Sequence, residues 1–281
     1  MADDDAIRAF EHAGWERAAG GYEASFATAT RGFIPALLDA AGVGAGQSVL
    51  DVACGPGFVA AGAAERGAAV RGLDFSAAML GVARTRHPGI VFDQGDAEAL
   101  PYPVGQFDAV VSNFGIHHVP RPIEALRQAH RVLRPGGCLA FTIWAAPSEN
   151  IAWKLVFDAI RLMGDMTASR APAPGGGFGT PADCAAALEQ ADFTGIGSRR
   201  LTGLWRQADG RALLDALRAG TARMAALIEA QPIAAIPGIV AAIDRAAAEY
   251  RDDDGLAIPI AAFVAYGRKA GAMRVAASPA E

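Results

Sequence analysis

The strongest constraint on how this chain folds is the run Val49 to Gly57, reading VLDVACGPG. Val49, Leu50 and Val52 are β-formers in an apolar run long enough for one strand buried on both faces. Ala53-Cys54-Gly55-Pro56-Gly57 then forms a tight turn, and Phe58 to Arg66 reads as a helix. Strand, glycine turn and helix together open a nucleotide-binding α/β unit. Glycine lets backbone pass close to a ligand, and the helix start offers unpaired N–H groups. From residue 48 to 145 the sequence goes on alternating strand and helix, which requires a parallel sheet with crossovers.

Two cofactor classes use such a turn, and Gly55, Gly57 and Ala60 satisfy the loose dinucleotide pattern. Asp51 separates them. A carboxylate inside the strand before the turn repels a pyrophosphate but suits a ligand carrying an amine and a sulfonium. That is the charge pattern of S-adenosylmethionine (SAM). VLDVACGPG resembles the first motif of class I SAM-dependent methyltransferases, and Ala53 sits in the turn that would face the ligand.

The next candidates fall at strand ends. Strand two, Ala69 to Leu73, ends at Asp74, about 20 residues beyond the turn, where a carboxylate can accept both ribose hydroxyls of an adenosine. Phe75 and Met79 are placed to pack on the adenine face or in the core. After strand three, Ile90 to Phe92, the Asp96 carboxylate can accept from the adenine amino group while the Ala97 N–H meets a ring nitrogen. Strand four, Phe107 to Asn113, ends in Asn113-Phe114-Gly115-Ile116-His117-His118, which faces the reaction if ligands sit off the carboxyl ends of the strands. A helix over 123–133 leads to Arg134-Pro135-Gly136-Gly137 and strand five, Cys138 to Trp144; HRVLRPGGCLAF is close to a pattern that follows the fourth strand of many small-molecule methyltransferases.

Residues 15 to 145 thus resemble the small-molecule branch of class I methyltransferases that includes the ubiquinone/menaquinone C-methyltransferases, and IPIAAFVAYGRKA resembles its last strand. The resemblance implies a Rossmann-like seven-stranded sheet with helices on both faces and an antiparallel final strand. It implies SAM contacts at Asp51, Gly55, Gly57, Asp74, Asp96, Ala97 and Asn113. It also implies that residues 1–47 form a helical lid, from which Tyr22 could touch the methionine end of SAM. Two short helices broken at Gly20-Gly21 and a third over 33–41 are expected there. The core is expected over 48–205, with strand six at 195–205. A helical cap insertion spans 206–252, with Leu213, Leu217, Met224 and Ile228 on one face and Arg211, Asp215, Arg218 and Arg223 opposed. Strand seven, 258–267, and a loose tail complete residues 253–281. A Pro/Gly-rich loop ending Gly175-Gly176-Gly177-Phe178-Gly179 is either an active-site border or a linker.

Composition narrows the partners. Of 281 residues 52% are hydrophobic and 20% charged, with a net charge of −5 and no basic stripe, which argues against a sequence-independent grip on nucleic acid. Cys54, Cys138 and Cys184 are far apart and form no metal-ligand pair, so no metal is expected; they read as buried packing residues of a reducing cytosol. The acidic start is unlike a signal peptide, and no apolar run approaches a membrane span, so a cytoplasmic protein is expected. The acceptor is expected to be a small, partly apolar molecule, and a homodimer is left open.

A sulfonium methyl is already activated, so such an enzyme works mainly by positioning, worth on the order of 7–11 kcal/mol of barrier. A base adds about 100-fold or more if the acceptor is a hydroxyl. His117 is the first choice for that base and His118 the reserve. This places O-methylation ahead of C- or N-methylation. The rivals are a nicotinamide-linked oxidoreductase, for which no TyrxxxLys spacing is found, and a non-catalytic SAM-binding module.

Overall fold

The computed structural model describes residues 3–169, 171–172 and 178–271. Met1 and Ala2, the glycine run 175–177 and most of the expected loose tail lie outside the described residues.

β1 (Ser48–Val52) is central, with β2 (Ala69–Asp74) on one side and β4 (Phe107–Asn113) on the other, both parallel to it. β3 (Val91–Gln94) extends the sheet beyond β2, and β5 (Leu133–Trp144) pairs parallel to β4. β8 (Gly255–Arg268) then pairs antiparallel with both β5 and β6 (Thr194–Gln207), giving the order β3-β2-β1-β4-β5-β8-β6. The expected seven strands become eight, because β7 (Arg251–Asp252) forms a two-residue hairpin with β8. The segment 134–137, read as a loop from its Pro-Gly-Gly, lies within β5, with a register irregularity opposite Phe107 and Ala109 that accommodates it. Strand three sits slightly later than its apolar residues suggested.

Alternation along β1 assigns its residues to opposite layers. Val49 packs with Leu37 and Leu38 of α3 (Ile34–Ala41) and Val59 and Ala63 of α4 (Phe58–Glu65). Leu50 and Val52 face Leu126 and Val132 of α6 (Pro122–Val132) and Leu188 of α8 (Pro181–Gln190). α8 begins on a reciprocal cap between Thr180 and Asp183, with Pro181 in its first turn.

A third core lies beyond the strand tips. It gathers Phe26 and Phe33, residues of α7 (Ile151–Met163), Trp205, and the insertion helices α9 (Gly210–Gly220), α10 (Arg223–Glu229) and α11 (Ile236–Ala246). Trp205 is fully buried; its Nε1 donates to Thr28 Oγ1 at 2.7 Å and its ring meets Phe26 edge-on. At the N-terminus the expected break at Gly20-Gly21 is present, but the helices on either side of it are unequal. A single helix, α1 (Asp4–Ala18), starts on the Asp3 cap, and turns through Gly20 and Gly21 lead to the four-residue α2 (Ala27–Thr30).

Candidate functional site

The tips of β1, β2 and β4 and the loop after β3 surround an open cleft, roofed by α1 and Tyr22. The backbone is forced close at its floor. Ala53, after β1, and Phe114, after β4, hold left-handed conformations with φ of 55° and 57°. Between them Gly115 passes so near that a Cβ there would lie 2.5 Å from Ala53 Cβ and 2.9 Å from Ser112 Oγ. Bare backbone and two strained non-glycine residues at strand tips are typical of a surface shaped for a ligand.

Asp74 lies under the cleft, 5% exposed. Its Oδ2 accepts from Gly55 N at 2.8 Å and its Oδ1 from Ser76 N at 2.9 Å, tying the end of β2 to the glycine turn. Burial outweighs these bonds and pushes the carboxyl up to about 6. Each oxygen keeps a lone pair for a ligand hydroxyl. Asp96 and Ala97 line one wall; Phe75 and Met79 lie along the floor. Ala53, Gly55 and Asn113 border both this cleft and a smaller pocket behind Tyr22 that also holds Arg31. Asn113 is oriented from both ends. Its Oδ1 accepts from Thr142 Oγ1 at 2.7 Å and its Nδ2 donates to Thr30 O at 3.3 Å. Tyr22 bonds Thr30 Oγ1 at 3.2 Å, and burial raises its phenol to about 12.

Three expected site residues lie elsewhere. Asp51 is fully buried off the cleft; its Oδ2 accepts from Ala60 N at 3.0 Å, in the first turn of α4, where the Gly57 cap has no side chain to do so. Burial pushes this carboxyl well above its usual range and leaves Oδ1 unpartnered. Gly57, at φ 82°, faces Phe92 and His87 rather than the cleft, and a Cβ there would lie 2.7 Å from the Phe92 ring. His117 also points away. Its Nδ1 is buried without a partner, and burial with the neighbouring charges of His118 and Arg223 lowers its pKa well below the usual value. His118, the reserve, is the histidine on the cleft wall.

Sequence reasoning missed how α1 is held over the site. Arg8 bonds both Asp96 and the buried Glu98, to the latter at 2.7 Å, and Glu98 also accepts from Arg121. Glu16 Oε1 accepts from Ser76 Oγ at 2.7 Å and Ala78 N at 3.1 Å, at the start of α5 (Ala77–Arg86). Glu11, 1% exposed, sets Oε2 3.1 Å from His118 Nδ1 and Oε1 2.7 Å from Arg223 Nε. Arg223 was expected on the polar outer face of the insertion; it reaches inward instead. Partners separated by 88 or 107 residues leave no local pattern to read. Only the acidic and basic residues of α1 on a face with Ile7 gave a trace of it.

The cleft suits an adenosyl sulfonium ligand. It offers a carboxylate beneath a bare glycine turn, an acidic edge at Asp96 and apolar faces, and the adjoining smaller pocket offers the Arg31 guanidinium for a carboxylate. Among the described residues no group of three or more His, Cys, Asp or Glu side chains could hold a metal ion, and no single helix is long and apolar enough to cross a membrane.

A parallel sheet reversed at one antiparallel strand, with ligand-shaped tips at β1, β2 and β4, is the topology of the class I SAM-dependent methyltransferase fold. Residues 50–141 match the family model described as a methyltransferase domain. The demethylmenaquinone methyltransferase of Renibacterium salmoninarum is 43% identical over 119 residues, covering 42% of this chain and 50% of that one. The malonyl-[acyl-carrier protein] O-methyltransferase of Enterobacter lignolyticus is 40% identical over 111 residues, covering 38% and 44%. The chain spans about half the length of these curated relatives. Among solved structures, the YcgJ protein of Bacillus subtilis aligns over 84% of this chain and 97% of its own with a TM-score of 0.55 and 20% identity, a likeness of fold.

Proposed function

We propose that the protein transfers a methyl group from SAM to a small, partly apolar acceptor, with O-methylation ahead of C- or N-methylation. The observation that carries this reading is Asp74, an acidic group under the glycine turn, opposite a second acid, Asp96, across one cleft. A diphosphate would meet two carboxylates there, whereas the hydroxyls and amino group of an adenosine can donate to them. When bound, SAM supplies an activated sulfonium methyl for in-line displacement. Asp74 holds the ribose, Asp96 and Ala97 read the adenine edge, and Arg31 holds the amino-acid carboxylate. Asn113, fixed by Thr142 and Thr30, orients the reacting end. α1 and the apolar walls of Trp15, Tyr22 and Phe114 exclude water and accept an apolar partner. His118 takes the role of base that sequence first gave to His117, because it faces the cleft.

One matched relative is named for a menaquinone precursor and another for an acyl-carrier-protein ester, so the fold family accommodates both carbon and oxygen acceptors. A histidine on the wall supports oxygen here. Titration calorimetry of the full chain with SAM, S-adenosylhomocysteine and NADH tests the cofactor. Saturable heat with the first two is expected, and saturable heat with NADH alone would overturn the assignment.

A further inference from the structure

The lid helix contributes more than a cover. Glu11 is a carboxylate in the middle of α1, almost wholly buried and aimed at the strand tips. Such a group is costly to bury unless it is used or fully paired. Its Oε2 contacts His118 Nδ1 at 3.1 Å and accepts from Trp15 Nε1 at 3.0 Å. Its Oε1 stands 2.7 Å from Arg223 Nε of α10, an ion pair without hydrogen-bond alignment. Trp15 also meets the His118 ring edge-on, with centroids 5.0 Å apart, and fixes its tilt. Lid, cap insertion and the turn after β4 therefore meet at one carboxylate.

We propose that Glu11 is the positioning residue of the reaction: from the lid it holds the proton on His118 Nδ1, so that Nε2 presents a free lone pair to the acceptor. A carboxylate accepts only, so the nitrogen facing it carries the hydrogen and the other nitrogen is left as the base. Among the described residues His118 Nε2 has no protein hydrogen bond, and His118 lines the cleft. The same logic of base plus orienting acid recurs wherever a weak nucleophile must be activated.

The arrangement defines the acceptor's chemistry and rests on the methyl-transfer reading. A base is needed where the accepting atom bears a weakly acidic proton, as in a phenol or enol hydroxyl; an ionised carboxylate needs none. As the acceptor oxygen attacks, its O–H electron pair remains on oxygen and the proton passes to Nε2. The resulting imidazolium is balanced by Glu11. The groups facing His118 are Glu11 and Trp15 from α1, His117 beside it at 4.3 Å between ring centroids, and Arg223 from α10 through Glu11. With His118 in α1's grip, the base is assembled only while the lid is docked.

The test uses the full chain labelled with nitrogen-15, the His118 ring signals being identified by their loss in His118→Gln. The neutral ring is expected as the Nδ1–H tautomer. Glu11→Gln should mix the tautomers, because the amide no longer requires a proton on the nitrogen facing it. Arg8→Ala, which removes one latch of the same helix while Glu11 and Glu16 still hold it in place, should leave the tautomer unchanged. An Nε2–H tautomer in the parent chain overturns the proposal without recourse to any variant. So does a Glu11→Gln tautomer population that matches the parent, or an Arg8→Ala change as large as that of Glu11→Gln. Calorimetry with S-adenosylhomocysteine on the same samples separates the two readings. Binding with the wrong tautomer sinks only the role of Glu11, whereas absent binding sinks the methyl-transfer reading beneath it.

Discussion

Replacing Asp74 by Asn isolates the cost of keeping an acid under the cleft. The carboxyl is nearly inaccessible and its pKa rises from 3.8 to about 6 on folding, chiefly through burial. A shift of about two units corresponds to ~3 kcal/mol of differential stability. The sign follows from the direction. The folded state favours the neutral acid, so the parent chain holds this ~3 kcal/mol below pH 4 and loses it as pH rises through about 6. Asn cannot ionise, so its contribution is flat. It also brings a penalty: Asp74 accepts two backbone N–H groups, one on each oxygen, whereas an amide offers one oxygen and sets its NH₂ against the other donor. That costs about 1–3 kcal/mol. Asp74→Asn is therefore expected to be less stable than the parent by about that amount at pH 4 and to gain ~3 kcal/mol on it by pH 7. Urea unfolding from pH 4 to 8 reads the difference, in which the other carboxylates cancel. SAM affinity, measured calorimetrically, should weaken in the parent as pH falls below about 6 and be lower and flatter in the variant. Parallel stability profiles across this range would refute the argument, because they would mean that Asp74 ionises in the folded chain as freely as in the unfolded one.

Two further outcomes follow from packing. Gly115→Ala places a methyl 2.5 Å from Ala53 Cβ, so it should cost about 1–3 kcal/mol and weaken SAM by displacing the turn after β1; thermal unfolding and calorimetry unchanged from the parent would show that the two loops yield freely. Trp205→Ala removes the fully buried indole between β6 and the insertion helices and should cost ~3–5 kcal/mol in urea unfolding, while a cost below about 1 kcal/mol would place the insertion outside the cooperative core.

The alternation of apolar runs with helical periods determined the order of elements, and the strand-turn-helix at residues 48–65 located the centre of the sheet. That much is local, because hydrophobic period and turn chemistry are written in neighbouring residues. The place of Asp74, Asp96 and Ala97 at the cleft was legible for the same reason: the first ends a strand, the other two follow one, and strand ends in a parallel sheet share one edge. The roles of Asp51 and Gly57 were not. Whether a residue beside the turn meets ligand or helix depends on which way the backbone leaves it, and Asp51 faces Ala60. Which of His117 and His118 lines the cleft depends on the orientation of a single 3-10 turn, and His118 there meets Glu11, 107 residues away. Arg223 was misread likewise: its helix is amphipathic by sequence, but its side chain is claimed by a buried carboxylate on another element. Short-range pattern thus specifies where strands and helices begin; which polar side chains turn inward is settled by charges that meet only after the chain has folded.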